Sequence, residues 1–155
     1  MWRCAAAVPG ARFFSASSYK GKKREGGIVE TLQKPPMMTP KVLLVEDNAT
    51  IRATLVPALQ ELTGARVVAT ADCAKDALAA LRQVDWNVLV LDLFLRESTG
   101  FDVLAQMPEE AAGRKVFVLT NYATGELREA CLRMGADVVF DKSTELDEFF
   151  AAFVE

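Results

Sequence analysis

No histidine occurs anywhere in the 155 residues, and cysteine appears only at Cys4, Cys73 and Cys131. An odd number of widely spaced thiols with no imidazole near them indicates neither a zinc site nor a disulfide framework, and fits reduced thiols in a cytoplasm. Long apolar runs are missing too. A membrane-spanning helix needs roughly 18 apolar residues in a row, and none of the runs approaches that, so a soluble cytoplasmic protein without a membrane partner is predicted. Positive charge is scarce in most of the chain: the net charge is −3, yet residues 1–40 hold seven Lys/Arg against two Glu, a local +5 that leaves −8 on the remainder. An acidic body argues against broad nucleic-acid binding, which needs a basic footprint on the phosphate backbone.

Residues 1–40 show no sustained periodicity and end in Pro35-Pro36-Met37-Met38-Thr39-Pro40, a stretch hostile to helix and sheet alike. They read as a disordered basic arm. Six basic residues, several serines and no acid before Glu25 match the composition of an organellar transit peptide. The competing reading is an upstream-extended start, with translation beginning at Met37 or Met38.

From Lys41 the pattern changes to short apolar runs alternating with amphipathic stretches. Val42–Val45, Arg66–Thr70, Val88–Leu91, Lys115–Thr120 and Ala136–Phe140 read as strands, and the four branched residues of the third run suit a strand buried on both faces. Helices are expected over about Ala49–Leu62, with Ile51, Leu55, Leu59 and Leu62 inward and Asn48 as cap, and over Cys73–Val84, capped by Asp72 or the residue before it. Pro57 should bend the first helix or weaken one turn. A third helix, capped by Ser98 or Thr99, should run through Phe101, Leu104 and Met107. A fourth should span about Gly125–Met134 and stop at Gly135. Thr144 should cap a last helix that carries Leu146, Phe149, Phe150 and Phe153 almost to the chain end. Alternating strands and helices with short loops predict an α/β doubly wound, five-stranded parallel sheet with five helices.

In such a sheet the carboxyl ends of the first, third, fourth and fifth strands converge on one crevice. Here they carry Glu46 and Asp47, then Asp92, then Thr120, then Lys142. Three carboxylates within about 5 Å repel by roughly 3 kcal/mol per pair at an effective dielectric near 20, so the cluster demands a cation or protonation. Magnesium suits it, because that ion accepts a few carboxylates, keeps some waters and bridges to phosphate oxygens.

With this order and spacing, residues 41–155 resemble a receiver domain of a two-component response regulator, a flavodoxin-like sheet of strand order 2-1-3-4-5. The resemblance implies that Asp92 is the phosphoacceptor, that Glu46, Asp47, Asp92 and the Phe94 backbone carbonyl bind Mg2+, that Thr120 donates to the phosphoryl group and that Lys142 pairs with it. It also implies a phosphoryl donor, a sensor histidine kinase or phosphotransfer protein, and a candidate homodimer surface on the face of helix 4, strand 5 and helix 5. In the family an aromatic ring three residues before the lysine moves on activation; Val139 stands there, so Phe140 is expected in the core and Tyr122 is the expected moving group. Three departures stand out, one of them Asn121 after Thr120, where a small residue is common in the family and where the larger side chain is expected to narrow access for phosphodonors. The usual proline-containing loop after the phosphoacceptor is here Leu95-Arg96-Glu97-Ser98-Thr99-Gly100, and Ser143 follows the lysine where the family has proline, which leaves the Lys142–Ser143 isomer open.

No residues follow the last helix beyond Glu155, so the expectation is a single-domain regulator with no DNA-binding domain, signalling to an unknown downstream protein. The alternative is a receiver-shaped adaptor that acts without phosphorylation. Enzymes on related sheets fit less well: Glu46-Asp47-Asn48-Ala49 lacks the Ser, Thr and Gly of a flavin phosphate loop, and no nucleophilic Asp with a second Asp two residues on follows the first strand.

Overall fold

The computed structural model describes residues 38–111 and 113–155. The reading of residues 1–40 as a disordered arm lies, up to residue 37, outside the described residues. The strands are β1 (Lys41–Val45), β2 (Arg66–Ala71), β3 (Val88–Leu91), β4 (Lys115–Thr120) and β5 (Val138–Asp141). The helices are α1 (Ala49–Thr63), α2 (Ala74–Gln83), α3 (Gly100–Ala105), α4 (Gly125–Arg133) and α5 (Leu146–Ala151), with a 3-10 turn at Glu109–Ala111. Every neighbouring pair of strands is parallel, in the order β2-β1-β3-β4-β5. This is the doubly wound, flavodoxin-like sheet expected from the sequence.

Alternation along each strand divides the core into two layers. Leu43, Val45, Leu89, Leu91, Val116, Val118 and Val139 face one side, where α2, α3 and α4 bring Leu78, Leu81, Val103, Leu104 and Cys131. On the other side Val42, Leu44, Val88, Val90, Phe117, Leu119 and Phe140 meet Leu55 and Leu59 of α1 and Phe149 of α5. Phe149 is fully buried, and the rings of Phe117, Phe140, Phe150 and Phe153 surround it edge-on at centroid distances of 5.1–6.5 Å. Burial pushes the Cys131 thiol up, so it acts as an apolar filler there.

Several local expectations need correction. Leu62 is 64% exposed, because the buried stripe of α1 ends at Leu59 and the chain turns back through Gly64, which adopts φ 68°. Helix α1 continues through Pro57, which has no N–H to donate to the turn before it. Asp72 does not cap α2; Cys73 occupies the cap position without a side-chain bond, and the Ala74 N–H donates to Ser98 Oγ at 2.9 Å. Thr99 caps α3 reciprocally with Asp102, and that helix stops short of Met107. β5 begins at Val138 instead of Ala136. Thr144 does not cap α5: Glu145 takes that position, and the helix ends at Ala151.

Candidate functional site

The sheet ladder continues past the strand ends and places the residues that follow. The Glu46 N–H donates to Ala71 O at 3.0 Å, the Asp92 N–H to Val45 O at 3.0 Å and the Lys142 N–H to Thr120 O at 2.9 Å. Their side chains consequently leave the sheet at one edge, with Glu46, Asp92 and Thr120 buried at 1%, 7% and 0% exposure. Asn48 caps α1 through Oδ1, which accepts from the N–H groups of Thr50 and Ile51, while its own N–H donates to Glu46 Oε1 at 3.0 Å. One residue thus starts the helix and orients the buried acid.

One carboxylate oxygen from each of Glu46, Asp47 and Asp92 lies within 4.8 Å of the others. The Lys142 ammonium bridges two of these acids, donating to Asp92 Oδ2 at 2.7 Å and to Glu46 Oε2 at 2.5 Å. Burial pushes the Glu46 carboxyl up, and the bonds from Lys142 and the Asn48 N–H offset only part of that. Burial by itself would lower Lys142, but hydrogen bonds and charges from Asp92 and Glu46 outweigh it and hold the ammonium above its ordinary value. When ionised, three carboxylates outnumber the Lys142 ammonium and the exposed Arg96 guanidinium, which lies 3.7 Å from Asp47, and leave one net negative charge. An all-oxygen donor set with that balance fits a hard divalent cation such as Mg2+.

Around this centre the predicted residues fall as follows. The Phe94 N–H donates to Asp92 Oδ1 at 3.3 Å, and the Tyr122 N–H to Thr120 Oγ1 at 3.4 Å. The two rings meet edge to face with centroids 5.3 Å apart. Asp47 Oδ2 accepts from the Arg96 N–H at 3.0 Å, a bond that proline at position 96 could not donate. The Lys142–Ser143 peptide is trans, since no cis bond occurs among the described residues. Phe140 is core and Val139 is buried on the opposite face, as expected from strand alternation.

Three features escaped the sequence reading. Gly100 backs directly onto the site, where a Cβ would stand 2.5 Å from Asp92 O and 2.9 Å from Leu93 Cα; a glycine eight residues after the acid was the available signal. Ser98 and Arg128 act across long sequence separations, on Ala74 and on Val139 and Glu145, and no local pattern announces them.

The chain is 36% identical over 111 residues to the transcriptional regulatory protein TcrA of Mycobacterium tuberculosis, covering 72% of this chain and 43% of that protein. It superposes on the receiver domain of the Francisella response regulator 1452 with a TM-score of 0.64 at 23% identity, covering 75% of this chain and 94% of the other. A DNA-binding response regulator of the LuxR family from Staphylococcus aureus gives a TM-score of 0.67 at 21% identity, over 74% and 96% of the two chains. The chain spans about half the length of the curated relatives it matches. These findings overturn the expectation of a regulator with no DNA-binding domain whose output is necessarily a separate protein: relatives named as transcriptional regulators extend well beyond the shared region, so the end at Glu155 carries no such meaning. No described helix is long and apolar enough to cross a membrane. The family model for the response regulator receiver domain matches residues 42–154, and on that match the chain belongs to the response regulator receiver domains, the signalling domains of two-component systems.

Proposed function

We propose that this domain accepts a phosphoryl group on Asp92 from a histidine kinase or phosphotransfer protein in the cytoplasm. The observation that carries the reading is the buried Lys142 ammonium bridging Asp92 and Glu46 at the carboxyl edge of the sheet. In the transfer, an Asp92 oxygen forms a bond to phosphorus as the phosphorus–nitrogen bond of the donor phosphohistidine breaks, and the donor imidazole leaves with that electron pair. The Lys142 ammonium then moves from carboxylate to phosphoryl oxygen, and the Thr120 hydroxyl donates to a second phosphoryl oxygen. Glu46, Asp47, Asp92 and the Phe94 carbonyl would hold Mg2+, which supplies charge neutralisation at the transferring oxygens.

Asp102, Asp137 and Asp141 are engaged in backbone caps and turns, accepting from Thr99, Val116 and Ser143. Asp92 and Glu46 both face the ammonium and the remaining carboxylates, and of the two Asp92 is the one that follows the central strand β3 directly. Phosphoramidate added with Mg2+ should give a phosphorus-31 resonance of an acyl phosphate that hydroxylamine removes. A protein that gives no such signal, yet still engages a partner, would support the adaptor reading instead.

A further inference from the structure

Ser143 follows Lys142 through a trans peptide, so no proline ring stiffens the loop that carries the ammonium. Side chains do so instead. Asp141 Oδ1 accepts from the Ser143 N–H at 2.8 Å and from the Ser143 hydroxyl. Glu145 Oε2 accepts from the Asp141 N–H at 2.7 Å, and the Glu145 N–H returns to Asp141 O at 2.9 Å, which closes residues 141–145 into a ring. The same Glu145 oxygen accepts from Arg128 Nη2 at 2.7 Å. Arg128 stands on α4 and spends its other donors on two carbonyls, Nε on Ala123 O at 3.0 Å and Nη1 on Val139 O at 2.5 Å. One guanidinium therefore ties α4 to the loop after Thr120, to β5 and to the loop of Lys142. Its planar fork is what allows three acceptors at once, and a lysine ammonium on a flexible stem cannot reproduce that geometry.

We infer that Arg128 and Glu145 are positioning residues for Lys142, bracing its loop over Asp92 and locking it to the loop that follows Thr120. The significance of the brace rests on the phosphoacceptor reading of Asp92. Thr120 and Lys142 must engage one phosphoryl group together, and the guanidinium makes their two loops move as a unit. Neither side chain touches the reacting atoms, and both are one-third exposed, so the brace acts through geometry alone.

The test uses the full chain and the variants Arg128→Lys, Glu145→Gln and their double, with Arg133→Ala as control because its exposed pair with Glu129 stays within α4. Glu145→Gln keeps an acceptor for the Asp141 N–H, which protects the fold. Two quantities are read: the side-chain ammonium resonance of Lys142 without added ligand, and the affinity for beryllofluoride with Mg2+. Each single variant should shift and broaden the Lys142 resonance and weaken beryllofluoride about tenfold, with Mg2+ affinity alone changed less than about twofold and the double no worse than the poorer single. An unmoved Lys142 resonance and unchanged beryllofluoride affinity in folded variants overturn the inference, as does equal weakening by Arg133→Ala. A wild-type protein that binds no beryllofluoride, while both variants still move the Lys142 resonance, rejects the phosphoacceptor reading and leaves the brace standing.

Discussion

Phe94 and Tyr122 each stand two residues beyond a site residue, and their rings pack edge to face against each other while remaining 50% and 65% exposed. Hydrolysis of an acyl phosphate needs a water in line with phosphorus, and an aromatic pair at the rim hinders its approach without offering an acid or amide to orient it. Tyr122→Ala and Phe94→Asn should therefore each speed phosphoryl loss after the donor is removed. Unchanged or slower loss in both would refute the shielding. Gly100 tests the same site from behind. A Cβ there meets the backbone of Asp92 and Leu93, neither of which can swing aside. Gly100→Ala should cost about 1–3 kcal/mol by overpacking, read from the urea midpoint, and should also disturb Asp92. A wild-type midpoint would show that the loop yields more easily than its geometry allows.

Among the elements, α2 offers the clearest test, because its first turn depends on a residue 24 positions away. Ser98→Ala removes the acceptor for the Ala74 N–H and should cost about 1 kcal/mol, as loss of a helix cap does. Asp72→Ala should cost almost nothing. Equal losses for the two would return the cap to Asp72. The contrast also shows what sequence could reveal. Asn48 and Thr124 precede their helices directly and cap them, so those starts are readable from local spacing. The starts of α2 and α5 are not: one is capped from the β3–α3 loop, and at the other Glu145 spends its carboxylate on Asp141 and Arg128. Strands were legible because burial on both faces demands unbroken apolar runs, as at Val88–Leu91. The acids and Lys142 were legible because strand ends in a parallel sheet converge. Arg128 was not, since its partners Ala123, Val139 and Glu145 come together only in the folded chain.

At the scale of the whole molecule, stability should carry the mark of that brace in acid. Glu145 lies below its ordinary 4.5, first because Arg128 donates to it and then because the Asp141 N–H does, while the Asp141 charge opposes. A depressed acid favours the folded state when ionised, so its contribution is complete above about pH 4.5 and is lost as pH falls through the lower folded value. Exposure and screening keep it small. The difference in unfolding free energy between wild type and Glu145→Gln should shrink on acidification; Asp141, held low by Ser143, is common to both proteins. A difference that grows in acid would contradict the assignment. The acidic site makes a larger claim on the molecule, since three carboxylates and a buried lysine are gathered at the edge of one sheet. That arrangement is costly for folding and sensible for receiving a phosphoryl group. Intact mass after incubation with acetyl phosphate tests it most directly. The account predicts one added phosphoryl group with Mg2+ and none with chelator or in Asp92→Ala; equal labelling of Asp92→Ala, or none in the wild type, would contradict it.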